Sequence, residues 1–198
     1  MDKQIIISIG REFGSGGHYI AERLAERLDI PLLDKNLIQR VAEDKGYSEE
    51  AIRQFDERGT SILFSRSING YTSSASENIA QAQFEVLRRD AKEGKSFVVV
   101  GRCAEDVLAD QPALISIFIR STTEAKKARV MKIYELSEDK ALSMMKKMDR
   151  ERKFYHNYYC HHKWGDSRGY DLTINSSLLG LEGTVDMIEQ IVKAREEM

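Results

Sequence analysis

The chain has 198 residues, 41% of them hydrophobic and 31% charged, with a formal net charge of -2. That length supports one domain, 1–198, with a sizeable core, and the charge argues against a protein that coats nucleic acid. No run reaches the roughly 20 apolar residues of a membrane span, MDKQIII lacks the sections of a signal peptide, and two cysteines are too few for a disulfide framework, so a cytoplasmic protein without a membrane partner is expected.

Residues 5–9 are apolar or small and mostly β-branched, the pattern of a strand buried on both faces of a parallel sheet. Gly14, Gly16 and Gly17 follow, and beyond them Ile20, Ala21, Leu24, Ala25 and Leu28 recur at helical spacing. A helix that starts at a glycine turn offers unpaired N–H groups and the positive end of its dipole to an anion. Gly14, Ser15, Gly16, Gly17, His18 and Tyr19 therefore read as a phosphate loop. The spacing is degenerate against G-x-x-x-x-G-K-[ST]: Arg11 stands at the first glycine, Gly17 at the lysine and His18 at the hydroxyl, with Tyr19 one residue later. A tight turn without ligand is the alternative for this stretch taken alone.

Residues 29–33 form a short second strand ending at Asp34, and helices are expected over 35–45 and from 48 to about 55. Residues 58–76 lose periodicity and gather Ser, Thr, Gly and Asn, the mark of a loop, either an acceptor lobe or a homodimer contact. A helix resumes near Glu77 and stops at Gly94, followed by a buried strand over 96–100 that ends at Gly101-Arg102. A short helix over 105–109 leads to a strand over 114–119, then to charged helices over 122–135 and from 137 to about 153. An irregular region to Arg168, a strand over 170–174 and a helix from about Gly183 close the chain. Alternating β and α units imply a doubly wound parallel sheet flanked by helices, with its site at the carboxyl ends of the strands.

Residues 146–168 carry seven Lys or Arg against three Asp or Glu. A solvated basic face is the plain reading of such a run; its place before the last strand favours a lid that neutralises a transferred phosphoryl group. The blocks REFGSGGHYIAERLAERL, LLDKNLIQRV, VVVGR, DRER and YDLTINSSLLGLEGTVDMI, in that order, resemble the cytidylate kinase-like branch of the nucleoside monophosphate kinases. The resemblance implies a P-loop kinase-like α/β fold with a helical acceptor region, 34–95, and a basic lid, 146–168. It implies transfer of the ATP γ-phosphoryl group, with Mg2+, to a small-molecule nucleotide such as cytidylate. By position, Gly14 to Tyr19 would hold the donor phosphates, Arg40, Arg102 and Asp149 the acceptor, Arg150 and Arg152 the group in flight, and Asp34 would lie near acceptor and metal. The bland alternatives are an exposed helix residue for Arg40, a salt-bridge partner for Arg102 and a helix cap for Asp34.

This chain departs from that pattern where the chemistry is concentrated. The loop has no lysine and no following hydroxyl, and Val100 and Cys103 stand where the family often has acids. Arg11, or a protonated His18, is the candidate replacement for the missing cation. The alternative function is a non-catalytic nucleotide-binding or regulatory protein with a degenerate P-loop. Cys160-His161-His162, with His156 four residues before Cys160, has the composition of a metal cluster, but adjacent ligands converge poorly on one ion and no second pair follows, so no metal centre is expected. Phe154, Tyr155, Tyr158, Tyr159 and Trp164 interleave with basic residues, which suits a lid packed on the core better than base stacking on single strands.

Overall fold

The computed structural model describes residues 3–34, 37, 40, 41 and 73–197. Five parallel strands form one sheet in the order β2-β3-β1-β4-β5. They are β1 (Ile6–Arg11), β2 (Leu32–Leu33), β3 (Phe97–Val100), β4 (Leu114–Arg120) and β5 (Leu172–Asn175). The helices are α1 (Gly17–Arg27), α2 (Ser73–Lys92), α3 (Ala104–Val107), α4 (Thr123–Tyr134), α5 (Glu138–Tyr159) and α6 (Gly180–Glu196). This is the α/β doubly wound arrangement expected from the βα alternation.

The near-continuous apolar runs of the central strands follow from burial on both faces. Side chains alternate across a strand, so Ile6, Phe97, Val99 and Leu114 join one core with α2, where Ile79, Val86 and Leu87 pack. Ile7, Ile9, Val98, Val100, Ile115, Ile117 and Ile119 join the other, against Ile20 and Leu24 of α1 and Val185, Ile188 and Val192 of α6. On the α2 side the strands turn polar toward their carboxyl ends, where Ser8, Gly10 and Ser116 replace large apolar residues. That change of composition leaves room for a site.

Several boundaries differ from the sequence expectation. Helix α5 runs six residues beyond 153, through Tyr159, because Tyr155, Tyr159 and Cys160 pack against the small cluster of Ala80, Phe84 and Cys103 and tertiary burial holds the last turns in place. Helix α2 starts at Ser73, inside the stretch read as loop. Helix α6 starts at Gly180 rather than near Gly183. The expected helices over 35–45 and 48–55, and most of 58–76, lie outside the described residues, except that Leu37, Arg40 and Val41 are helical.

Asp90 of α2 anchors Arg40. Its buried carboxylate takes both terminal nitrogens of Arg40, Nη2 at 2.7 Å, and Nζ of Lys95 at 3.2 Å. Burial alone pushes the carboxyl up, but hydrogen bonds from Arg40 and Lys95 outweigh it and hold it below the usual carboxylate range. A carboxyl depressed in the folded state contributes stability that is complete above its unfolded pKa of about 3.9 and is lost as pH falls through the lower folded value. Asp90→Asn is expected to cost about 1–3 kcal/mol at neutral pH, and its deficit against the parent should shrink below about pH 4. Denaturant melts at neutral and acid pH check this; a deficit that stays constant with pH contradicts it.

Candidate functional site

The turn from β1 into α1 is the first part of the site. Gly14 and Gly16 have φ of +78° and +86°, a conformation that side chains disfavour. Gly16 is also the residue before the helix. The N–H groups of Gly16, Gly17, His18 and Tyr19 meet no acceptor among the described residues, as expected for a first turn. Ser15 is buried, with its Oγ donated to the Glu12 carbonyl at 2.8 Å, and its own carbonyl accepts from Ser176 Oγ at 2.7 Å. A Cβ on Gly17 would lie 2.6 Å from Cβ of Arg11, so while Arg11 holds its place no lysine fits at this position.

The turn is braced from α4 and α5. Asp149 Oδ1 accepts the Phe13 N–H at 2.6 Å, and Lys126 Nζ donates to Glu12 Oε2 at 2.9 Å. Arg129 donates through Nη1 to the Gly14 carbonyl, and Arg152 Nη1 reaches the Arg11 carbonyl at 3.4 Å with its guanidinium 5.3 Å from the Phe13 ring centre. Burial lowers the pKa of both arginines, and both stay charged because arginine starts so high. Burial raises the Asp149 carboxyl, against the Phe13 N–H and the charges of Lys126 and Arg152, which lower it.

Beside the turn lies a cavity of about 250 Å3 at the carboxyl ends of β1 and β3, lined by Arg11, Asp34, Arg102, Glu151, Arg152 and Trp164 among others. Gly10 opens it, since a Cβ there would come within 2.9 Å of Phe118 and 3.1 Å of Tyr170. The cavity also reaches Glu105, His156 and Tyr170. Glu105 Oε1 meets His156 Nε2 at 2.8 Å and accepts the Tyr170 hydroxyl at 3.1 Å, and Oε2 accepts Ser8 Oγ at 3.3 Å. Burial and the Glu105 charge push the Tyr170 phenol well above its ordinary value. On the rim, Gly101, Arg102 and Cys103 have φ of +72°, +61° and +54°. Left-handed backbone at non-glycine residues costs about 1–3 kcal/mol each and clusters at functional sites.

The sequence-derived residues fall into groups. Arg11, Asp34, Arg102 and Arg152 converge on the cavity, and Gly14 to Tyr19 form the adjoining turn. His18 stands 3.5 Å from Asp34 and 3.2 Å from Glu22, while the Tyr19 hydroxyl turns away to Glu182 at 2.5 Å. Arg40 is held on Asp90, Asp149 braces the phosphate loop from outside, and Arg150 is exposed; none of the three lines the cavity. Arg129, Lys126, Glu12 and the Glu105–His156–Tyr170 group were not found from sequence. Only the charged character of α4 marked Lys126 and Arg129, and nothing in a charged surface helix distinguishes the side chain that turns inward.

Comparison with known proteins agrees with this arrangement. The model of the cytidylate kinase-like family matches residues 6–178. A crystal structure of an uncharacterized protein from Eubacterium ventriosum is 42% identical, covering 96% of this chain and 99% of its own, with a TM-score of 0.77. Shikimate kinase from Bacteroides thetaiotaomicron is 12% identical with a TM-score of 0.55, covering 96% of this chain and 98% of its own. Shikimate kinase from Acinetobacter baumannii in complex with shikimate is 14% identical with a TM-score of 0.52, covering 98% and 96%. These two show a shared fold. No curated protein matches. With a parallel sheet that leads into a glycine turn, a cavity at the strand ends and a family match across most of its length, the chain belongs to the cytidylate kinase-like family.

Proposed function

We propose that this protein transfers the γ-phosphoryl group of ATP to a small anionic acceptor, with a nucleoside monophosphate such as cytidylate the first to test. The observation that carries the reading is the meeting of unpaired amides at Gly16 to Tyr19 with the guanidinium groups of Arg129 and Arg152, next to a cavity holding Arg11, Arg102 and Asp34. Phosphoryl transfer needs positioning and charge stabilisation more than covalent chemistry from the protein. Backbone amides and buried arginines supply both without reorganising as the reaction proceeds.

The loop amides bind the donor phosphates, and Arg129, poised on the Gly14 carbonyl, supplies the positive charge that a loop lysine would bring. Arg11 leans toward Gly101 and the acceptor cavity, where with Arg102 it receives the acceptor's anionic group. Arg152 lies between donor turn and cavity and follows the charge of the phosphoryl group in flight. Arg150, exposed on the same helix, takes no part in the cavity lining, and Asp149 keeps the loop in shape. Asp34 lies on the cavity wall near acceptor and metal; a monophosphate attacks through an oxygen that is already anionic, so no residue has to take a proton from it.

Magnesium binds through few protein groups and several phosphate oxygens and waters. The donor set here fits that pattern through the Asp34 carboxylate, since Ser15 Oγ is committed to the Glu12 carbonyl. When bound, the ion neutralises charge on the β- and γ-phosphates. No helix among the described residues is long and apolar enough to cross a membrane, and a cytoplasmic location with soluble nucleotide substrates fits that.

With ATP and magnesium, a panel of nucleoside monophosphates and small hydroxy acids should include one that drives ADP release. Thermal stabilisation by ATP without turnover on any acceptor identifies a non-catalytic nucleotide binder instead. Arg152→Ala is expected to lower kcat by about 100-fold or more, with a smaller change in KM. Arg129→Ala should raise KM for ATP by about 10-fold, a loss of ~1.4 kcal/mol in donor binding. Equal KM values for ATP in Arg129→Ala and its parent would show that Arg129 does not touch the donor.

A further inference from the structure

Helix α5 ends beside the strained turn after β3, where three side chains with metal-binding chemistry, Glu105, His156 and Cys160, meet and Cys103 packs alongside. His156 and Cys160 are four residues apart at the end of the helix, so they share a face; the Cys160 N–H closes the last turn on the His156 carbonyl at 2.8 Å. Cys103 precedes α3 and Glu105 lies within it. The ligand atoms of Glu105, His156 and Cys160 all lie within 4.8 Å of one another. The buried Cys103 belongs to the small cluster against which Cys160 packs, and both cysteines are free.

We propose that Cys103, His156 and Cys160 form a binding site for one thiophilic divalent cation, with zinc the best fit, and that Glu105 orients the histidine from behind. An independent observation points to a missing ligand. The His156 ring is buried and its Nε2 faces Glu105, yet Nδ1 has no hydrogen-bond partner. A carboxylate on one ring nitrogen leaves the other as a lone-pair donor, the arrangement found behind metal-bound histidines. Burying that lone pair unused costs stability. Nε2 of His162 is a second orphaned donor beside the cluster, on a ring 5.1 Å from that of His156.

Two thiolates and an imidazole suit zinc, whereas magnesium and calcium prefer all-oxygen sets. Binding is balanced as one cation taken up by two thiolates and a neutral imidazole, with release of every proton those three groups carry beforehand, so affinity falls in acid. The cavity reaches Cys103, Glu105 and His156, which gives the ion a path. Occupancy ties the end of the lid helix to the turn that carries Arg102. The sequence-level objection, that Cys160, His161 and His162 are adjacent, does not apply, because the exposed His161 takes no part and Cys103 arrives from another element.

The test uses the full chain, reduced and stripped with a chelator, titrated with cobalt and then zinc in the absence of nucleotide. It is thus independent of kinase activity. One cobalt per chain with a thiolate-to-cobalt charge-transfer band, displaced by zinc with a rise in Tm, is expected. Cys103→Ser and Cys160→Ser should each remove the band, Glu105→Gln should weaken binding by about 10–100-fold, and His161→Ala should change nothing. No band in the folded, reduced parent overturns the proposal. So does a band that survives in Cys103→Ser/Cys160→Ser, or a Cys103–Cys160 disulfide that forms in place of metal uptake. If a variant fails to fold, X-ray absorption on the zinc-loaded parent decides: two sulfur ligands sustain the site and none refutes it.

Discussion

The structure depends on β1 being buried on both faces. Because Ile7 and Ile9 face α1 and α6 while Ile6 faces α2, the strand cannot shift by one residue without turning its apolar set to the wrong core. Its carboxyl end, and with it the glycine turn and the amino end of α1, is therefore fixed against the sheet. A turn held this firmly presents its amide groups without an ordering cost when an anion binds.

Around that turn the protein arranges charge differently from the standard phosphate loop. Arg11 occupies the space from which a side chain at position 17 would grow, so the absence of lysine is built into the packing of β1 against α1. Positive charge comes instead from Lys126, Arg129 and Arg152 on α4 and α5. These groups hold the loop through Glu12, Gly14 and Arg11, which couples the shape of the donor turn to the docking of the two helices. A guanidinium keeps its charge when buried where an ammonium readily loses it, and this suits a half-buried position at Gly14.

The cavity shows the opposite economy. There the apolar sheet gives way to Ser8, Gly10 and the hydrogen-bonded Glu105–His156–Tyr170 group. These mutual hydrogen bonds hold the geometry of the group, with Nδ1 of His156 left over. The left-handed residues of the turn 101–103 set Arg102 toward the cavity and Cys103 toward Cys160 at the cost of local strain.

The order of elements, the parallel sheet, the glycine turn and the place of Asp34 and Arg102 at strand ends were legible in the sequence, because each leaves a local mark: a β-branched run, a glycine cluster, or a polar residue at a strand end. Arg152, within α5, was pointed to only by the family resemblance. The end of α5 was not legible, since aromatic burial against Phe84 and Cys103 prolongs a helix whose own sequence carries no stop signal. Nor were the inward turn of Arg129, the capture of Arg40 by a carboxylate fifty residues on, or the meeting of Glu105 with His156 and Cys160. Those depend on distances between segments far apart in the chain. Periodicity and propensity report what a residue does for its own helix or strand; which partner it meets across the core is decided only when the sheet and helices pack.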